Sequence, residues 1–198
     1  MINLTKGARV SLDKNVNFAL VGLGWKANSF DGKDFDLDAS VFMTDDNGKC
    51  KNSDTDFVFY GNKVGRNGCV KHMGDNLTGS SGNKDDEQIK IDFTKIPDDV
   101  KRLAIAVTIY DADTRAQTFG QVSNAYVHVA SIPAMDAEIG TEQIRYDLEE
   151  DFSAETAVVA AEFYKKDGEW KFKAVGRGFN GGLKALCNNF GVDAQGQG

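Results

Sequence analysis

Apolar residues fall at every second position through Phe18 to Val21, Phe35 to Met43, Phe57 to Tyr60 and Ile89 to Phe93, with Gly, Asn and Asp between these runs. A period of two matches a strand with one buried face, and it cannot serve a helix, whose apolar stripe recurs every three to four residues. Leu103 to Tyr110 is a nearly continuous apolar and β-branched run that suits a central strand, and Ala125 to Val129 follows as another. Further on, ETAVVAAEFY and EWKFKAV flank KKDG, where Asp167-Gly168 signals a tight hairpin turn; a helix over Ala154 to Tyr164 is the open alternative. The clear helical pattern is C-terminal: Leu183, Leu186, Cys187 and Phe190 recur at helical spacing, and Gly191 stands where a C-cap belongs. With no repeating alternation of strands and helices, the chain predicts an all-β fold, an antiparallel β-sandwich of about ten strands with a short C-terminal helix.

The 198 residues are 41% hydrophobic with two prolines, enough to build one core. The expected organisation is a single domain over residues 1–192 and a flexible tail over 193–198. The formal charge of −7 opposes binding to a phosphate backbone, so nucleic acid is not an expected partner. Three cysteines at wide spacings, Cys50, Cys69 and Cys187, fit reduced thiols better than a disulfide framework. With no basic-then-apolar leader and no run of membrane-spanning length, the expectation is a soluble, cytoplasmic protein.

Two acidic segments interrupt the strand pattern. In SFDGKDFDLDAS the carboxylates are Asp31, Asp34, Asp36 and Asp38; in GDNLTGSSGNKDDE the oxygen donors are Asp75, Asn76, Asp85, Asp86 and Glu87. Carboxylates this close repel one another unless something positive sits among them. Ca²⁺ takes 6 to 8 oxygen ligands from carboxylates, amides and backbone carbonyls, and both segments offer that mixture with glycines that permit tight turns. Strand alternation places Asp34, Asp36, Asp38 and Ser40 on one face and Phe35, Leu37 and Ala39 on the other. An EF-hand is excluded, because the sixth position counted from Asp34 is Ala39 where that loop needs glycine. The bland alternative is a solvated acidic surface. The carboxylates exceed the needs of one ion, so two or more Ca²⁺ are expected. With two histidines and no CxxC pair, zinc is disfavoured.

Beyond these derivations, GLGW at Gly22 to Trp25, FDLDAS, FVFY at Phe57 to Tyr60, GDNLTG, DDE, FGQVSNAY, RYDLEEDFSAETA and EWKFKAVGRGF, in this order, resemble the TerD family of tellurium-resistance and stress-response proteins. The resemblance runs from about residue 1 to 192. It implies a calcium-binding β-sandwich with no settled reaction, and ligands at Asp36, Asp38, Asp75, Asn76, Gly79, Asp85, Asp86 and Glu87, with Asp31 and Asp34 as additions. The position after GLGW is often acidic in that family and here is Lys26, so either one coordination position is missing or Asp31 substitutes for it. The implied partners are other tellurite-resistance proteins, including membrane-associated ones.

Other motifs carry less. Gly176, Gly178 and Gly181 spell GxGxxG, but no βαβ unit follows, so a strand-to-helix turn is the reading. His72 has no nucleophile partner in any recognised motif, Trp25 and Trp170 read as core, and Asp111, Asp113 and Arg115 either stabilise a loop or border the ion site. The leading expectation is a non-enzymatic calcium module whose ions order a partner surface. A metal-dependent hydrolase and a purely structural ion-held scaffold are its rivals.

Overall fold

The structure is a computed structural model, and it describes residues 1–26, 34–74, 85–138, 140–148 and 152–193. Those residues form twelve strands: β1 (Ile2–Leu4), β2 (Arg9–Ser11), β3 (Phe18–Gly24), β4 (Leu37–Thr44), β5 (Phe57–Val58), β6 (Val70–His72), β7 (Glu87–Asp92), β8 (Arg102–Ile109), β9 (Tyr126–Ile132), β10 (Thr141–Asp147), β11 (Ala157–Lys166) and β12 (Glu169–Phe179). Three helices join them: α1 (Ser53–Asp56), α2 (Ala112–Arg115) and α3 (Gly182–Phe190). One sheet runs β1-β10-β9-β3-β7-β6 and the other β2-β12-β11-β8-β4-β5. Every pairing is antiparallel except β1 with β10. The antiparallel sandwich and its C-terminal helix are therefore as expected, and Ala157–Lys166 is strand rather than helix.

Alternation decides what each strand buries. Along β4, Leu37, Ala39, Val41 and Met43 enter the core between the sheets, beside Val21 and Leu23 of β3, Ile89 and Ile91 of β7, and Leu103, Ile105 and Val107 of β8. Phe42, on the other face, joins a second cluster beneath α3 with Phe57, Ala104, Ala106, Leu186 and Phe190. There Phe42 stacks on Phe57 and on Phe190, each at 4.4 Å between ring centroids. The helix thus covers part of the outer face of the β2–β5 sheet, which explains why residues 103–107 of β8 and 157–161 of β11 are apolar on both faces.

The β11–β12 hairpin turns at Asp167 and Gly168, both at positive φ, 54° and 79°, as a two-residue turn matched to strand twist requires. The GxGxxG segment is the passage from β12 into α3: the Gly181 and Gly182 amides donate to the Thr156 hydroxyl at 3.2 and 3.0 Å. Those helix N-terminal donors are satisfied within the fold.

Candidate functional site

Strand directions bring the described parts of the two acidic segments, residues 34–40 and 85–87, to one end of the sandwich. Leu37 at the start of β4 pairs with Ile109 at the end of β8, and Leu23 near the end of β3 pairs with Glu87 at the start of β7. Trp25 joins the segments. Its backbone N–H donates to Asp86 Oδ2 at 3.1 Å, and its indole N–H donates to the Phe35 carbonyl at 3.1 Å, with the ring buried in the core.

Each described acid then takes its own place. Asp38 is buried on the outer face of the β2–β5 sheet, in register with Thr108. It lines a cavity of about 280 Å³ with Thr108, Asp111, Asp113, Thr156 and Tyr60. Asp36 is buried beside it in sequence, its carboxylate 3.8 Å from the Arg115 guanidinium and its carbonyl accepting from the Tyr110 amide. The Asp34 carbonyl accepts from Arg115 and Gln117 side chains, each at 3.4 Å. Of the set Asp111, Asp113 and Arg115, the two acids line the Asp38 cavity, and Arg115 ties α2 to the acidic strand as a loop-stabilising contact.

The DDE triplet divides among three environments. Asp85 lies on the outer face of the other sheet, where Oδ1 stands 2.6 Å from His128 Nε2 and Oδ2 accepts from Gln88. Asp86 holds Trp25 as described. Glu87 points between the sheets, fully buried, and its Oε2 accepts from the Ala39 amide at 2.6 Å, with His72 Nε2 3.6 Å away. Its pairing links β7 to β4 across the core. Asp31, Asp75, Asn76 and Gly79 lie outside the described residues.

GLGW gains a physical meaning here. Leu23 and Trp25 face the core while Gly22 and Gly24 face outward. A Cβ on Gly22 would meet His128 Nε2 and the Asp85 carboxylate, and one on Gly24 would meet the Tyr126 ring. Burial and the nearby Asp85 carboxylate push the Tyr126 phenol above its ordinary pKa, and the Arg145 guanidinium stacks 3.8 Å over its ring. The Asp85–His128 contact escaped sequence reasoning because the partners are 43 residues apart; the paired outward glycines were its only trace.

Among the described residues, no three His, Cys, Asp or Glu side chains stand close enough to share one metal ion. The polar side chains of the Asp38 cavity nonetheless offer only oxygen, from carboxylates and hydroxyls, with no sulfur or imidazole. That donor chemistry fits a hard cation such as Ca²⁺ and does not fit zinc.

The TerD domain family matches residues 1–190. The tellurium resistance protein TerD of Serratia marcescens is 47% identical, with 98% of each chain covered. General stress protein 16U of Bacillus subtilis is also 47% identical, over 96% of this chain and 97% of that one. Among solved structures, a homologue of telluride resistance protein (TerD) from Streptomyces coelicolor superposes with a TM-score of 0.68, at 22% identity, covering 87% of this chain and 95% of that chain, a likeness of fold.

Proposed function

Because the chain belongs to the TerD domain family, we propose that it serves in tellurium resistance and the wider stress response as a Ca²⁺-binding module whose acidic end meets a partner. The observation that carries this reading is the junction at Trp25, which ties Asp86 to Phe35 and so brings residues 85–87 beside residues 34–38 at one end of the sandwich. Asp38, Asp111 and Asp113 line one cavity at that end and carry like charge, and a divalent cation there would relieve their repulsion. Asp36 and Asp38 would hold an ion on the β4 side, with Asp111 and Asp113 beside them and Asp31 and Asp34 as further donors. Asp75, Asn76, Gly79, Asp85, Asp86 and Glu87 are the candidates on the β7 side, with Asp86 placed at the junction. Calcium supplies charge neutralisation and cross-linking of oxygen donors, and it is a weak activator of water compared with zinc, which favours a binding role over hydrolysis. The proposed partners are other tellurite-resistance proteins, membrane-associated ones included.

Hydrogen exchange tests the reading. Adding calcium should slow exchange over residues 74–87 far more than over residues 35–41, which the β4 ladder already protects, and Asp38→Asn should weaken the effect while leaving the sandwich folded. Equal protection in calcium and in chelator would reject an ion-ordered surface.

A further inference from the structure

The opposite end of the sandwich carries a second cavity, of about 290 Å³. It lies where β3 begins, where β7 ends and where the β11–β12 hairpin turns, so it is a mouth of the intersheet core. Leu12, Val16, Phe93 and Trp170 form its apolar part. The Phe93 and Trp170 rings are 5.6 Å apart and tilted by 39°, leaving Trp170 half-buried. At the rim the acids are already engaged: Glu169 pairs with Lys14 at 3.0 Å, and Asp13 Oδ1 accepts from both the amide and the side chain of Asn15. The donors are not. Among the described residues the Trp170 indole N–H, the Lys165 ammonium and the Asn17 carboxamide, all lining this cavity, have no hydrogen-bond or ion-pair partner.

An aromatic wall beside uncommitted donors, one of them cationic, selects a flat ring carrying an acceptor anion. Ring contacts with Trp and Phe supply the apolar part, and a charge-assisted hydrogen bond is about twice as strong as a neutral one. The volume sits at the lower bound of small-molecule cavities, roughly 300 Å³, which suits a single substituted ring. We propose that this cavity is a binding site for small aromatic carboxylates, with the ring against Trp170 and Phe93 and the carboxylate directed to Lys165. The proposal does not depend on calcium.

The chain has two tryptophans, so its indole N–H groups give two signals in a nitrogen–proton NMR spectrum of the isotope-labelled protein. Trp25, buried and bonded to Phe35, is the internal control, and Trp170→Phe assigns the other signal. Benzoate should move the Trp170 signal saturably and leave Trp25 in place. Benzylamine, the same ring with the opposite charge, should bind at least about tenfold more weakly, and Lys165→Met, at an exposed position, should weaken benzoate by about tenfold without changing the melting temperature. A Trp170 signal indifferent to benzoate, equal binding of benzylamine, or unchanged affinity in Lys165→Met would each overturn the proposal.

Discussion

At the scale of single residues, the acids that look alike in sequence do different work. Glu87 accepts a core amide, Asp86 fixes Trp25, and Asp85 meets His128 over a glycine. The last arrangement depends on a missing side chain, because the space above Gly22 is where the Asp85–His128 contact sits. Gly22→Ala should therefore separate that pair or push β7 away from β3. Overpacking of this kind costs about 1–3 kcal/mol, and urea denaturation monitored by circular dichroism would measure it. An unchanged midpoint would mean that the contact contributes nothing to the fold. Sequence alternation correctly set Asp38 and Ser40 opposite Leu37 and Ala39, but it could not tell that three consecutive acids would divide among an outer face, a turn and the core. That outcome depends on which strand lies across the sandwich, which no local pattern encodes.

At the scale of elements, the long strands were legible because six or more alternating residues specify both the strand and its buried face. The short edge strands β1, β2 and β6 were not, since three residues carry no period, and their pairing comes from neighbours remote in sequence, such as Ile144 for Ile2. The turn before β12 was legible for the converse reason: Asp-Gly favours the positive φ that both residues adopt. α3 was legible by its spacing, though its position over β8, β11 and β12, with Phe190 reaching Phe42 of β4, was not. Phe190 is its anchor, stacked on Phe42 and buried. Phe190→Ala should lower stability by about 3 kcal/mol and expose the Cys50 and Cys187 region to thiol reagents, as a calorimetric melt combined with thiol labelling would detect. A variant that melts like the parent would show that the helix is held by something other than this stack.

At the scale of the molecule, titration bounds the pH range of stability on both sides. For Asp92 burial opposes ionisation, but the Thr94 hydroxyl and amide and Lys95 outweigh it and lower the pKa. Asp99 is likewise lowered against its burial, by Arg66. Asp45 is lowered first by the Lys49 amide, Glu155 by the Ser153 amide and Glu169 by Lys14. A folded-state pKa below the unfolded one means that the unfolded chain takes up protons first, so these contributions are present above the ordinary carboxylate range and disappear as pH falls below about 4. The thiols set the other limit. Burial pushes Cys50 up to about 12 and Cys69 and Cys187 up to about 11, so their contributions hold below the ordinary thiol value and fade as pH rises through those values. The melting temperature should form a plateau from about pH 4 to about pH 9 and fall on both sides, with the three thiols protonated across it. A melting temperature that climbs steadily into acid would contradict this assignment of the carboxylates.

The same charges bear on function, since a chain with a formal charge of −7 gathers carboxylates at one end, where Trp25 locks two segments together. Ca²⁺ bound, as proposed, to the folded chain alone would raise stability by roughly 2.7 kcal/mol at a hundredfold excess over Kd. Titration of the metal-free chain with calcium in a calorimeter tests the central claim most directly. The account predicts saturable heat with more than one ion per chain, a higher melting temperature in the same buffer, and a much weaker response to magnesium. No heat and no shift in melting with calcium would contradict it.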